Sequence, residues 1–126
     1  MNWHKTRISL DILEREVHLH LLRDTKQIDQ LGKRLQREYV PQGPLAGLFL
    51  VDDRGISHLL FQGDVQNKTI VHEVFHLTHY LLEEAGQTWD SNNHEIYALT
   101  IEYLYERVER FLKEIEQQKK SSLEIS

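Results

Sequence analysis

Two stretches of strict alternation open the chain. Ile8, Leu10 and Ile12 form the first, and Val17, Leu19 and Leu21 the second. A period of two predicts strands. The charged Glu14-Arg15-Glu16 between them predicts a turn or bulge, hence a hairpin, with one continuous helix as the competing reading. From Thr25 to Tyr39 the period changes. Ile28, Leu31 and Leu35 recur three and four apart, the spacing of one helix face. Asp24 or Thr25 can cap that helix, and Pro41-Gln42-Gly43-Pro44 stops it. Leu45 to Leu50 and Ile56 to Phe61 are short apolar runs on either side of Val51-Asp52-Asp53-Arg54-Gly55, which predicts a second hairpin. After the polar loop Gln62 to Lys68, Thr69 to Ala85 reads as a helix closed by Gly86. Ser91 or Asn92 caps a last helix over about Asn93 to Gln118, whose Leu104, Val108, Phe111 and Ile115 recur at four, three and four. The order β, α, β-hairpin, α, α predicts an α+β fold. A small mixed or antiparallel sheet is expected to carry its helices on one side: an N-terminal helix, a middle helix and a long C-terminal one. Residues 1–118 are expected to form one domain and 119–126 a flexible tail.

Composition narrows the function classes. The chain has 126 residues, 40% hydrophobic and 28% charged, which suits one globular core. Twenty acidic residues against 15 basic ones give a formal charge of −5. A negative domain is poorly suited to nucleic acid or an anionic membrane surface, both of which need a positive field. Cysteine is absent, so disulfides, thiolate metal sites and cysteine nucleophiles are excluded. No apolar run approaches the roughly 20 residues that span a bilayer, and Met1-Asn2-Trp3-His4-Lys5 has no signal-peptide core. A cytoplasmic location is the expectation. Histidine is the enriched residue, with eight copies.

Three of those histidines fall on the middle helix. Residues 72 to 76 read His72-Glu73-Val74-Phe75-His76, the HExxH pattern. Residues four apart on a helix are displaced by about 40° and one turn, so both imidazoles can point at one metal ion. Glu73, about 100° round the helix, can reach a metal-bound water without ligating the metal. With His72 at 0°, positions Ile70, Val71, Val74, Phe75, Thr78, Leu81, Leu82 and Ala85 fall between about 160° and 300° and are expected to form the core face. His72, His76 and His79 form a separate stripe. A catalytic zinc takes three protein ligands and a water. Nineteen residues after His76 stands Glu95, in the first turn of the next helix, and an antiparallel return would bring it beside the histidines. His94 is the rival ligand, about 100° from Glu95. Glu95 is preferred because Glu102 shares its face and can accept a hydrogen bond from a ligand histidine.

HEVFH on one helix, with a glutamate near the start of the following helix, resembles the gluzincin branch of the zinc metallopeptidases. The resemblance covers about Leu45 to Glu106. The pairing of HEVFHLTHYLLEEAG with NHEIYALTIEYLYERV also resembles compact zincin-like proteins encoded by phages and mobile elements. In gluzincins the strand upstream of the metal helix offers its edge to an extended substrate. The matching segment here is Ile56 to Phe61, with Ser57, His58 and Leu59 at its centre. Four residues after Glu95 stands Leu99, where the larger gluzincins place an aspartate that supports a ligand histidine. No separate C-terminal domain is expected to supply a transition-state histidine or tyrosine.

The resemblance implies one Zn²⁺ held by His72, His76 and Glu95, with Glu73 as general base toward a peptide or protein substrate. His79, Tyr80, Tyr97 and Tyr103 are the candidates for stabilising the transition state. A non-catalytic zincin-like module that binds a host or regulatory protein is the alternative. A phosphodiesterase is disfavoured by the acidic balance. The ridge Leu104, Val108, Phe111 and Ile115 could pair two copies into a homodimer. His18 and His20 are read as exposed strand histidines, and Glu95 has the simpler reading of an acid at a helix N-terminus.

Overall fold

A computed structural model describes residues 3–10, 15–87, 90 and 92–125, with side chains to residue 121. Ile12, Glu14 and the cap at Ser91 lie outside the described residues. The elements run β1 (His4–Leu10), β2 (Arg15–Leu22), α1 (Thr25–Leu35), β3 (Gly47–Val51), β4 (Ser57–Gln62), α2 (Asn67–Glu84) and α3 (His94–Ile125). The α+β class is as expected. Asp24 caps α1 by accepting from the Gln27 N–H at 3.0 Å. Gly86, at φ +85°, follows the end of α2, as its sequence position implies.

The four strands form one mixed sheet in the order β1-β2-β4-β3. Antiparallel pairs β1/β2 and β3/β4 flank a parallel β2/β4 junction. That junction needs a crossover, and α1 lies in it. The sheet is therefore covered on both faces, not on one. Ile8, Val17, Leu19, Leu59 and Phe61 pack with Ile70, Val74, Leu77 and Leu81 of α2 and Leu104, Val108, Phe111 and Ile115 of α3. On the other face Leu22, Leu50 and Leu60 pack with Ile28 and Leu31 of α1. Each such side chain contributes about 1.5–3 kcal/mol by leaving water. The proposed dimer ridge is thus part of the core: Leu104 and Val108 are fully buried, Phe111 and Ile115 nearly so. It is not available to a second copy.

β4 is buried along almost its whole length, because it has a strand on each side and a helix layer above and below. The expectation of a free substrate edge at Ser57, His58 and Leu59 is corrected on this ground. Ser57 and Leu59 face Val17 and Leu19 in one register and Val51 and Phe49 in the other, with His58 between His18 and Leu50. The edge strand beside α2 is β3. The C-terminal helix also continues through Ile125, where a flexible tail was expected. Its outer surface carries Glu–basic pairs four apart, Glu106–Arg110, Glu109–Lys113 and Glu116–Lys120, each adding a few tenths of a kcal/mol. No helix among the described residues is long and apolar enough to cross a membrane.

Candidate metal centre

On α2 the helical spacing places two imidazoles together. His72 Nε2 and His76 Nε2 lie 3.2 Å apart, and both side chains are exposed. Two nitrogens bound to one zinc at about 2.0–2.1 Å and a tetrahedral angle are about 3.3 Å apart. The pair therefore has the spacing of a chelate. Glu73 is buried beside Gly47 of β3, 7% exposed, yet near enough for both histidines to act on its charge. Burial pushes its carboxyl above the ordinary range, against the opposing pull of His72, His76 and the backbone N–H of Phe49. A carboxylate with a raised pKa is better able to take up and release a proton near neutrality.

The core face of α2 differs from the expected arc. Val71 and Phe75 are exposed, whereas Glu73 and Leu77 are buried. The buried arc thus begins at Glu73, which packs against β3. Gly47 makes this approach possible. A Cβ there would meet Thr69 Cγ2 at 2.9 Å and Glu73 Cγ at 3.0 Å. Gly47 had no signal in the sequence beyond being a glycine at a strand start.

The start of α3 returns beside the histidine stripe, with the His79 and Tyr97 rings 6.2 Å apart. Tyr97 is buried and its hydroxyl donates to the Gln87 carbonyl. Glu95 and His94 stand exposed in the first turn. Neither forms, with His72 and His76, a group of three ligand atoms within 4.8 Å of one another. His79 pairs with Glu83 at 3.4 Å on the surface. Tyr80 packs on Phe49, and burial and its bond to Glu84 raise its hydroxyl pKa. Glu102 and Tyr103 are exposed on α3.

A second histidine grouping was missed. Among the described residues, the three-ligand group that could hold a metal ion is His18, His20 and His58. It lies on the α1 side of the sheet, across the β2/β4 junction, where His18 and His58 are register partners. The expectation that His18 and His20 are exposed strand histidines is corrected: His20 is 1% exposed and the His18 side chain 14%, and His58 beside them is buried too. Only the parallel register, invisible in sequence, joins residues 18, 20 and 58.

Hydrogen bonds fix the proton positions here. The indole N–H of Trp3, a donor only, reaches His20 Nδ1 at 3.2 Å. Burial, then the neighbouring His58, lowers the His20 pKa to about 3, so neutral His20 carries its proton on Nε2. That proton is donated to His58 Nδ1 at 2.9 Å. His58 in turn donates from Nε2 to Asp52 Oδ2 at 2.8 Å. Burial also lowers the His58 pKa, against the pull of Asp52. Burial would raise the Asp52 carboxyl, but bonds from His58 and the Ile56 and Arg54 amides outweigh it and hold it low. His18 binds Glu16 through Nε2 at 2.6 Å and leaves its buried Nδ1 without a hydrogen-bond partner.

Comparison with known proteins finds no matching family model, no matching curated protein and no matching solved structure.

Proposed function

We propose that the chain is a small zinc-dependent peptidase in which His72 and His76 hold the ion and Glu73 is the general base. The observation that carries this reading is the 3.2 Å separation of the two Nε2 atoms on a helix whose intervening glutamate is buried with a raised pKa. When bound, the ion supplies a polarised water and a Lewis acid for the substrate carbonyl. Glu73 takes the proton from the attacking water and later delivers it to the departing amine. The Phe49 amide and the close wall at Gly47 hold the Glu73 carboxylate in one orientation. An extended peptide adds to the edge of β3 in this reading, since β4 has no free edge. Glu95, the third ligand that the resemblance implies, does not lie within 4.8 Å of both histidines, so its exposed side chain would have to swing toward them to complete the site. Metal content of the wild type beside Glu95→Ala tests that assignment, and equal content removes Glu95 from the coordination sphere. Peptide hydrolysis by the wild type beside Glu73→Gln tests the activity. Equal rates refute the role given to Glu73.

A non-catalytic binding module is the second reading. It is favoured by the exposed apolar side chains Val71 and Phe75 on α2 and Ile96, Leu99 and Tyr103 on α3, which suit contact with a protein surface. A partner bound equally well by wild type and Glu73→Gln, with neither cleaving it, selects this reading.

A further inference from the structure

We propose that His18, His20 and His58 form a second metal site, independent of the α2 helix, that takes a borderline divalent cation such as Zn²⁺ and pins β2 to β4. The donor set follows from the hydrogen bonds. His58 has Asp52 on Nε2, which leaves Nδ1 for the ion. His18 has Glu16 on Nε2 and offers its buried, unpartnered Nδ1. A carboxylate on the far nitrogen of a ligand histidine orients the ring and raises its basicity, and two of the three ligands already have one. His20 Nε2, 2.9 Å from His58 Nδ1, is the third donor. One ring nitrogen from each of the three lies within 4.8 Å of the others, and imidazole donors select cations of the zinc, nickel and copper group over magnesium or calcium.

Loading has one structural consequence. The proton that His20 Nε2 donates to His58 occupies the position the cation would take, so His20 must change tautomer as the ion enters. Its single ring proton moves, by exchange with solvent, from Nε2 to Nδ1, where it faces the indole N–H of Trp3. Two donors cannot bond each other, so Trp3, now stacked on His20 at 5.8 Å, must turn away. Trp3 is the built-in reporter of occupancy. Binding to the folded chain alone, at 100 times Kd, shifts the unfolding equilibrium about 100-fold.

The test uses the untagged full chain carrying His72→Ala and His76→Ala, two exposed positions, after chelator treatment. Zinc is titrated by calorimetry while the Trp3 indole N–H is followed by NMR. One ion per chain, a displaced Trp3 resonance and a raised Tm are expected. Adding His18→Gln, which leaves the Trp3–His20–His58–Asp52 chain of bonds intact, should weaken zinc binding about 100-fold or more with the fold retained by circular dichroism. No zinc binding by the folded double variant overturns the proposal. So does binding that is indifferent to His18→Gln, or binding that leaves the Trp3 resonance unmoved. None of these outcomes bears on hydrolysis by the α2 site, which is absent from the variant.

Discussion

The two histidine groupings on opposite faces of the sheet differ in every respect that governs what an imidazole does. His72 and His76 are exposed, local in sequence and held only by helical geometry. His18, His20 and His58 are buried or half-buried, come from strands up to forty positions apart and are locked by Trp3, Glu16 and Asp52. An exposed pair keeps its lone pairs accessible to a cation and a substrate, at little cost in stability. A buried cluster must have its polar atoms satisfied, because an unpaired buried donor or acceptor costs about 1–3 kcal/mol. The first grouping is therefore suited to chemistry and the second to structure. Perturbing each should show it, in activity for one and in stability for the other.

The largest effect belongs to α2. Glu73→Gln keeps the shape of the buried side chain and removes its ability to take a proton. Peptide hydrolysis is expected to fall by about 10²–10⁴-fold, with metal content and Tm near those of the wild type. A rate within a factor of a few of wild type, measured on a cleaved reporter peptide, would erase the contrast between the two groupings. The same substitution should leave the sheet cluster untouched.

The histidines of the sheet should instead govern the pH dependence of folding. In the metal-free chain the pKa of His20 is lowered to about 3, below the roughly 6.5 of an unfolded histidine. Between those values the unfolded chain binds the proton and the folded chain does not. Stability is thus complete above about pH 6.5 and falls as pH drops toward 3, by up to about 1.4 kcal/mol per pH unit from this residue. His58, lowered in the same direction, adds to the slope. Chemical denaturation at pH 7, 6, 5 and 4 with a chelator present measures it. A flat profile down to pH 4 would mean that His20 is not held neutral by its surroundings.

How much of this was legible depended on whether the signal was local. The elements were readable because periods of two and of three-to-four are local. So was the His72/His76 chelate, since four residues on a helix fix the geometry without reference to the rest of the fold. The HExxH spacing marks Glu73 as a candidate base but not as a buried residue, because angular position alone does not reveal that β3 sits against it. The β3/β4 hairpin was legible and the side of β4 that it left free was not. The parallel β2/β4 contact arises only when α1 carries the chain over the sheet, and no dipeptide or spacing encodes it. The same contact buries His20 and His58, so the sheet cluster and the loss of a free β4 edge have one cause. The ridge on α3 was read as apolar, which it is. What sequence could not supply was the partner, here the chain's own sheet.

A smaller loss should follow from Asp52→Ala. Asp52 accepts from His58 and from the Arg54 and Ile56 amides of the β3–β4 turn, so three donors lose their partner at once. Two of them can turn to water, since the turn is at the surface, but the buried His58 Nε2–H cannot do so easily. A destabilisation of about 2–3 kcal/mol is expected, read as a lower denaturation midpoint with the m-value unchanged. Hydrolysis at a temperature where the variant stays folded should be unaltered. Activity that falls along with stability would show that the two faces of the sheet communicate.

Gly47→Ala is the smallest perturbation and the one that crosses the boundary between the two regions. Gly47 begins β3, and the added methyl would meet Thr69 Cγ2 at 2.9 Å and Glu73 Cγ at 3.0 Å, closer than carbon atoms rest in contact. Either the strand end or the helix must yield by a few tenths of an ångström, at a cost of about 1 kcal/mol. The strand is tied to β4 through the Gly47–Phe61 register, and Phe61 is fully buried, so the movable partner is the Glu73 side chain. Displacing it weakens the bond from the Phe49 amide that fixes the carboxylate. Hydrolysis should therefore drop by about tenfold, more than the small stability loss would suggest, because a misplaced base is penalised steeply. Zinc affinity at His72 and His76 should hold, as neither touches Gly47. A variant that lost stability and kept full activity would show that the strand gives way, not the glutamate, and that Glu73 is not positioned by β3.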